Sequence, residues 1–217
     1  MRAITALCFL AFSGGLAVAE PADKAEPVLE DLLVAGGCFW CVEADLEKVD
    51  GIFDVVSGYA GGRNANPTYQ NYSSNGHREV ALVKYDPDTI SFDEVMAFFI
   101  RTIDVTDDGG QFCDRGYGYS TAVYYGTEAE RVSLERIIAE GEEEIGREIV
   151  TPIEAEPTFY PAEDYHQDYY MKNPRRYGVY RGLCGRDRTV RGVWGQSAGE
   201  LISGRKKTTA VSTKRNG

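Results

Sequence analysis

Leu32-Leu33-Val34-Ala35-Gly36-Gly37-Cys38-Phe39-Trp40-Cys41-Val42-Glu43 is the stretch on which the reading of this chain turns. A short apolar run stopped by a glycine pair reads as a strand. Beyond it Val42, Leu46 and Val49 recur at helical spacing, with Glu43, Asp45, Glu47 and Lys48 between them, so Cys38 stands where a helix begins. A thiol in the first turn of a helix feels unsatisfied N–H groups and the positive end of the dipole, which lower its pKa. The glycine pair lets another molecule's backbone come close, and Phe39 and Trp40 supply an apolar wall beside the sulfur. The plainer alternative is two core aromatics beside an inert buried cysteine. It requires the glycine pair, the helix start and Cys41 to coincide by chance.

The flanking sequence extends the pattern. Residues 52–59 are β-rich and end at Gly61-Gly62, residues 63–76 form a polar loop, and Val80, Leu82, Val83 and Tyr85 make a strand stopped at Asp86-Pro87. Ser91-Phe92-Asp93-Glu94 and Thr127-Glu128-Ala129-Glu130 are capping boxes that open helices. Between those helices lie a glycine-rich loop at 106–118 and a strand at 122–125. Residues 149–153 read as a strand and 161–171 as a helix stopped by Asn173-Pro174. The order β-α-β-β-α-β-α-β contains a split βαββαβ unit. The expected class is α+β: a two-layer sandwich with a mixed or antiparallel sheet, a ferredoxin-like core and helices packed on it.

At 217 residues, 43% hydrophobic and 26% charged, the chain is globular and the length of one ordinary domain with ends. Its net charge of -11, with no basic stripe in the body, excludes nucleic acid as a partner. From Glu20 onward no apolar run is long enough to span a bilayer. The first residues differ: Met1-Arg2, an apolar or small-residue run over 4–18, and the small-x-small signal Ala17-Val18-Ala19. Residues 1–19 thus read as a cleaved signal peptide, 20–30 as a leader, 31–199 as the single folded domain and 200–217 as a disordered tail. That tail carries Arg205, Lys206, Lys207, Lys214 and Arg215. The expectation is an exported, periplasmic protein with no membrane insertion after cleavage.

Cys8 falls in the removed run, which leaves Cys38, Cys41, Cys113 and Cys184. An even count in an exported protein suggests disulfides, yet a chain of this size buries enough core to do without them. Cysteine chemistry is therefore open. His77 and His166 are the only histidines, and no HExxH or paired CxxC occurs, so neither zinc nor another cofactor is expected.

A series of motifs then recurs in order: Gly36-Gly37-Cys38-Phe39-Trp40, Gly58-Tyr59-Ala60-Gly61-Gly62, Asn66-Pro67-Thr68-Tyr69, His77-Arg78-Glu79-Val80, Tyr85-Asp86-Pro87, Asp114-Arg115-Gly116 with Tyr119, and Tyr165-His166-Gln167-Asp168-Tyr169. From about Leu32 to Pro174 the chain resembles the A-type peptide methionine-sulfoxide reductases. The resemblance implies reduction of methionine (S)-sulfoxide, free or in proteins. Cys38 would attack the sulfoxide sulfur, and Glu79 would protonate the oxygen with help from Tyr69 and Tyr119. Phe39 and Trp40 would hold the substrate methyl, and Asp114 would bind the methionine unit.

The chemistry needs such groups. A sulfoxide oxygen leaves poorly until it gains a proton, and a carboxyl supplies one near neutral pH only if desolvation raises its pKa. His166 is expected to be structural, its ring hydrogen-bonded under the site. The chain departs from the family pattern at Cys41, where many relatives have glycine, at the pocket rim after Asp114, and in keeping Cys184 alone where relatives often carry two tail cysteines. The favoured resolving thiol for the Cys38 sulfenic acid is Cys184, on a glycine-flanked tail, with Cys41 as the alternative and Cys113 as a third candidate. A thioredoxin-like dithiol would recycle the resulting disulfide, and the enzyme is expected to be a monomer. Two other readings stay open: a general thiol–disulfide oxidoreductase built on Cys38-Phe39-Trp40-Cys41, and a non-enzymatic metal-binding protein using the four cysteines.

Overall fold

The computed structural model describes residues 27–200. The expected signal peptide, most of the expected leader and nearly all of the expected basic tail lie outside the described residues. The elements run β1 Glu30–Gly36, α1 Phe39–Leu46, β2 Ile52–Ala60, β3 Arg78–Tyr85, α2 Phe92–Ile100, β4 Gly110–Gln111, β5 Asp114–Arg115, β6 Thr121–Tyr125, α3 Glu128–Ile145, β7 Ile153–Ala155, β8 Phe159–Pro161, α4 Tyr169–Lys172, α5 Pro174–Cys184 and α6 Arg186–Trp194.

Six strands form one mixed sheet in the order β7-β6-β1-β3-β2-β8, with β4 and β5 a separate two-stranded ladder. Its centre, β6-β1-β3-β2, is antiparallel throughout, with β3 inserted between β1 and β2. This is the expected split βαββαβ core, carried by the α+β arrangement the hydrophobic pattern implied. Side chains alternate along each strand. Leu32, Val34, Ala81, Val83 and Val123 face the main core, where Val42 and Leu46 of α1, Val95 and Phe99 of α2, Leu134 and Ile137 of α3, and Val190 and Trp194 of α6 cover them. Leu33, Ala35, Val80, Ala122 and Tyr124 fill a smaller cluster on the opposite face. Both capping boxes are formed: Ser91 with Glu94 and Thr127 with Glu130 exchange side-chain and backbone bonds at the starts of α2 and α3.

The C-terminal third differs from the sequence expectation. Residues 149–152 form no strand. Ile149 N–H donates to the Glu142 side chain and Val150 N–H to the Val105 carbonyl, and the ladder begins after Pro152, which has no N–H to give. The expected helix at 161–171 is not formed: the edge strand β8, paired on β2, ends at Pro161, a turn with Asp168 in the left-handed region (φ 54°) follows, and only the single turn α4 is helical. Gln167 forces this course by bonding both the N–H and the carbonyl of Ser57. Pro174, read as a helix stop, occupies the first turn of α5. The glycine-flanked tail around Cys184 is therefore two helices, joined at Gly185 (φ 70°).

Candidate active site

Gly37 sets the site. Its φ of +78° turns the chain from β1 into α1, and a Cβ there would lie 2.5 Å from Gln111 Cβ. Cys38 follows as the N-cap of α1 and Cys41 lies one turn further on; they are 7% and 2% exposed.

The buried Glu79 rises from β3 beneath the helix start. Its Oε2 accepts from Phe39 N–H at 3.0 Å and its Oε1 from the Tyr72 hydroxyl at 3.1 Å. Burial raises this carboxyl to about 8 despite those bonds, so it carries a proton near neutral pH. The first free N–H of α1 thus serves Glu79 and not the Cys38 sulfur. Consequently the lowered pKa expected of Cys38 is reversed: burial above all, then Cys41 and Glu79, push its thiol well above the ordinary value. Cys41 moves down to about 7, chiefly through the hydrogen bond that the Cys38 thiol donates, with Arg186 and Arg181 adding.

Cys38, Phe39, Trp40, Tyr69, Glu79, Asp114, Tyr119 and Tyr180 line one cavity of about 50 Å3. All the expected substrate-facing residues therefore come together, from α1, β3, β5 and three loops. Phe39 packs with Tyr59 and Tyr72. Trp40 stacks flat on Tyr169 (3.7 Å, 7°), and its Nε1 donates to His166 Nδ1 at 3.1 Å. His166 is thus the buried, hydrogen-bonded support the sequence suggested. Tyr69 and Tyr119 line the same cavity, and burial raises both hydroxyls.

Tyr72 and Tyr180 were not singled out from sequence. Tyr72 lies one turn beyond Tyr69 in an aromatic loop, which was a readable signal; Tyr180 belongs to a helix that had not been recognised. Its hydroxyl donates to Asp114 Oδ2.

Cys184, the favoured resolving thiol, ends α5 and is paired with Cys113, with the two Cα atoms 4.9 Å apart. The helix fixes it there: α5 and α6 are pinned beneath α1 by Arg181, which pairs with Asp45 at 2.9 Å, and by the buried Arg186, whose Nη1 donates to the Gly36 carbonyl at 3.1 Å. Cys113, Asp114 and Cys184 form a cluster that excludes Cys38 and Cys41, so the four cysteines do not make one four-sulfur site. Among the described residues no helix is long and apolar enough to cross a membrane.

Comparison with known proteins agrees with this geometry. A family model described as peptide methionine sulfoxide reductase matches residues 30–198. The peptide methionine sulfoxide reductase MsrA 2 of Rhizobium meliloti is 51% identical over 178 residues, spanning 82% of this chain and 89% of that one. MsrA 2 of Caulobacter vibrioides is 42% identical, over 85% of this chain and 96% of its own. Among solved structures, reduced Mxr1 from Saccharomyces cerevisiae superposes with a TM-score of 0.64 at 32% identity, covering 70% of this chain and 89% of that one. Methionine sulfoxide reductase A of Corynebacterium diphtheriae gives 0.64 at 28% identity, covering 69% and 77%.

Proposed function

Because the chain belongs to the peptide methionine sulfoxide reductase family, we propose that it reduces the S epimer of methionine sulfoxide, free or in proteins, with Cys38 as nucleophile and Glu79 as general acid. One observation carries this reading: a buried sulfur and a protonated carboxyl share a small aromatic-walled cavity. The carboxyl gives its proton to the sulfoxide oxygen as the sulfur attacks, and Tyr69 and Tyr119 hold that oxygen. Phe39 and Trp40 receive the methyl group, and Asp114 meets the rest of the methionine unit. With the methyl wall and the acid fixed, only one hand of the chiral sulfur faces Cys38.

The sulfenic acid left on Cys38 needs a thiol. Cys41 supplies the nearest one, closing a Cys38–Cys41 bond with loss of water. Cys184 enters next with Cys113: their two thiols reduce that bond by exchange and become the exposed disulfide, open to a thioredoxin-like dithiol. This order is supported by the contact between Cys38 and Cys41 and by the Cys113–Cys184 bond beside Asp114. A general disulfide oxidoreductase is disfavoured, since both sulfurs of Cys38-Phe39-Trp40-Cys41 are buried from a protein disulfide. Residues 1–19 support export to the periplasm, where the mature chain would act as a monomer.

The deciding assay uses separated sulfoxide epimers with a small dithiol. The S epimer should be consumed and the R epimer left nearly untouched. Equal rates would refute the proposal.

A further inference from the structure

Helix α5 has two unlike sides. Tyr180 and Arg181 reach inward to Asp114 and Asp45. Val179 and Leu183, four residues apart and therefore on one face, are 62% and 83% exposed. Beside them Gly178 and Gly182 are open, since a Cβ built at either would meet nothing within 4 Å. The face is thus a low apolar strip on which a partner's backbone can lie close. It is basic at both ends. The exposed Arg175 and Arg176 stand one turn before Val179, and the Arg188 guanidinium lies over Gly185, directly after Cys184. The acids nearest in sequence already have cations: Asp187 pairs with Arg181 at 2.6 Å and Asp168 with Lys172 at 3.9 Å. A chain of net charge -11 therefore presents a cationic rim at this one helix.

The strip ends at a disulfide. Leu183 directly precedes the half-buried Cys184, whose partner Cys113 is exposed. We propose that the outer face of α5, from Arg175 and Arg176 through Val179 and Gly182 to Leu183, is the docking surface for an acidic thioredoxin-like dithiol protein that reduces the Cys113–Cys184 bond. The inference rests on the proposed recycling and adds where the donor sits and what it must carry. It needs an apolar surface around its reactive cysteine and carboxylates placed to meet Arg175, Arg176 and Arg188. Position favours this occupant, because a protein attacking the disulfide has to cover the residues that border it. A second copy of this chain would instead bring the same three arginines to both sides of the contact.

The exchange balances. The donor thiolate bonds to the Cys113 sulfur as the Cys113–Cys184 bond breaks, and Cys184 leaves with the electron pair and takes a proton. The donor's second thiol, giving up its proton, then attacks the donor sulfur of the mixed disulfide, and Cys113 leaves and is protonated. The donor loses two electrons and two protons and closes its own disulfide, while Cys113 and Cys184 gain both.

The test needs no sulfoxide, because it reads reduction of this bond itself. Oxidised full-length protein is mixed with a reduced thioredoxin of net negative charge, and acid-quenched, alkylated samples report Cys113 and Cys184 thiols by fragment mass. Leu183→Glu and Gly182→Glu should each slow this reduction on the order of tenfold, while dithiothreitol reduces wild type and variants at one rate. Gly182→Glu places its side chain in open space and replaces a helical glycine, so the variant folds at least as well as wild type. Arg175→Ala combined with Arg176→Ala should lower the rate and flatten its decline with added salt. A thioredoxin lacking its second cysteine should be trapped on Cys113. Wild-type rates with thioredoxin in both glutamate variants, or an equal loss with dithiothreitol, would overturn the proposal. Dimerisation or binding to anionic phospholipid vesicles that Leu183→Glu abolishes, with thioredoxin reduction intact, would give the face to those partners and overturn it too. A normal docking response in a protein that leaves both sulfoxide epimers untouched would instead strike the proposed function.

Discussion

Glu79 and Glu43 are both buried carboxyls raised to about 8, mainly by desolvation, and they separate the two things such a group can do. Glu79 lines the cavity. Glu79→Gln keeps an oxygen for Phe39 N–H but has no proton to transfer, so single-turnover methionine formation should fall on the order of 10²–10⁴-fold with substrate binding retained. Quenched single-turnover assays measure this, and an unchanged rate would remove Glu79 from the chemistry. Glu43, a buried residue of α1 itself, accepts from the Ser57 hydroxyl and from Asp168 N–H and does not line the cavity. Because its folded pKa stands above the ordinary 4.5, the native state holds a proton that the unfolded chain has lost. Its contribution to stability is complete below pH 4.5 and disappears as pH rises through about 8. Thermal melts should show wild-type protein losing stability between pH 5 and 9. Glu43→Gln, which can satisfy both partners without titrating, should lose less.

The β1–α1 junction and helix α5 carry the site. Gly37 is the single residue that allows the strand to turn into a helix with Cys38 at its head. Gly37→Ala forces a side chain into the left-handed region and against Gln111. The strain should cost roughly 1–3 kcal/mol, read from urea unfolding, and should displace Cys38 enough to depress turnover. Helix α5 presents Tyr180 and, one turn later, Cys184, so the Tyr180–Asp114 hydrogen bond and the Cys113–Cys184 bond are adjacent rungs between that helix and the start of β5. Cys41→Ser should still form about one methionine per enzyme without reductant but accumulate sulfenic acid at Cys38, detectable by a dimedone-type trap. Cys184→Ser should form the Cys38–Cys41 bond and fail in recycling by a protein dithiol. A Cys38–Cys184 bond mapped in the wild-type enzyme after reaction would reverse that order.

Across the whole molecule, the Cys113–Cys184 bond closes a loop with a sequence separation of 71. Chain-entropy reasoning assigns a closure of that length about 4 kcal/mol. The sheet and its two apolar clusters hold the domain without it, so reduction should lower the urea midpoint while leaving a cooperative transition. Cys113→Ser should show the lower midpoint at once and be insensitive to added dithiol. Loss of cooperative unfolding on reduction would mark the bond as a structural necessity instead of a redox carrier.

The central sheet, the two capped helices and the strand-to-helix turn at Cys38 were legible in the chain because each depends on local signals: period-2 and period-3.6 apolar residues, Ser91 and Thr127 three residues before glutamates, and a glycine pair. The motif residues of the cavity were legible as well, from Cys38 through Glu79 to Asp114, although their roles came by resemblance and not from spacing. What stayed hidden depends on contacts between residues far apart in sequence. Gln167 reaching Ser57 makes a turn where helical spacing suggested a helix, and Arg181 and Arg186 reaching Asp45 and Gly36 hold as helices a segment that was read only as a glycine-flanked tail. The pKa order of Cys38 and Cys41 follows the same rule. A helix start lowers a thiol only if its N–H groups are free, and here Glu79, brought in from β3 forty residues away, takes the first of them.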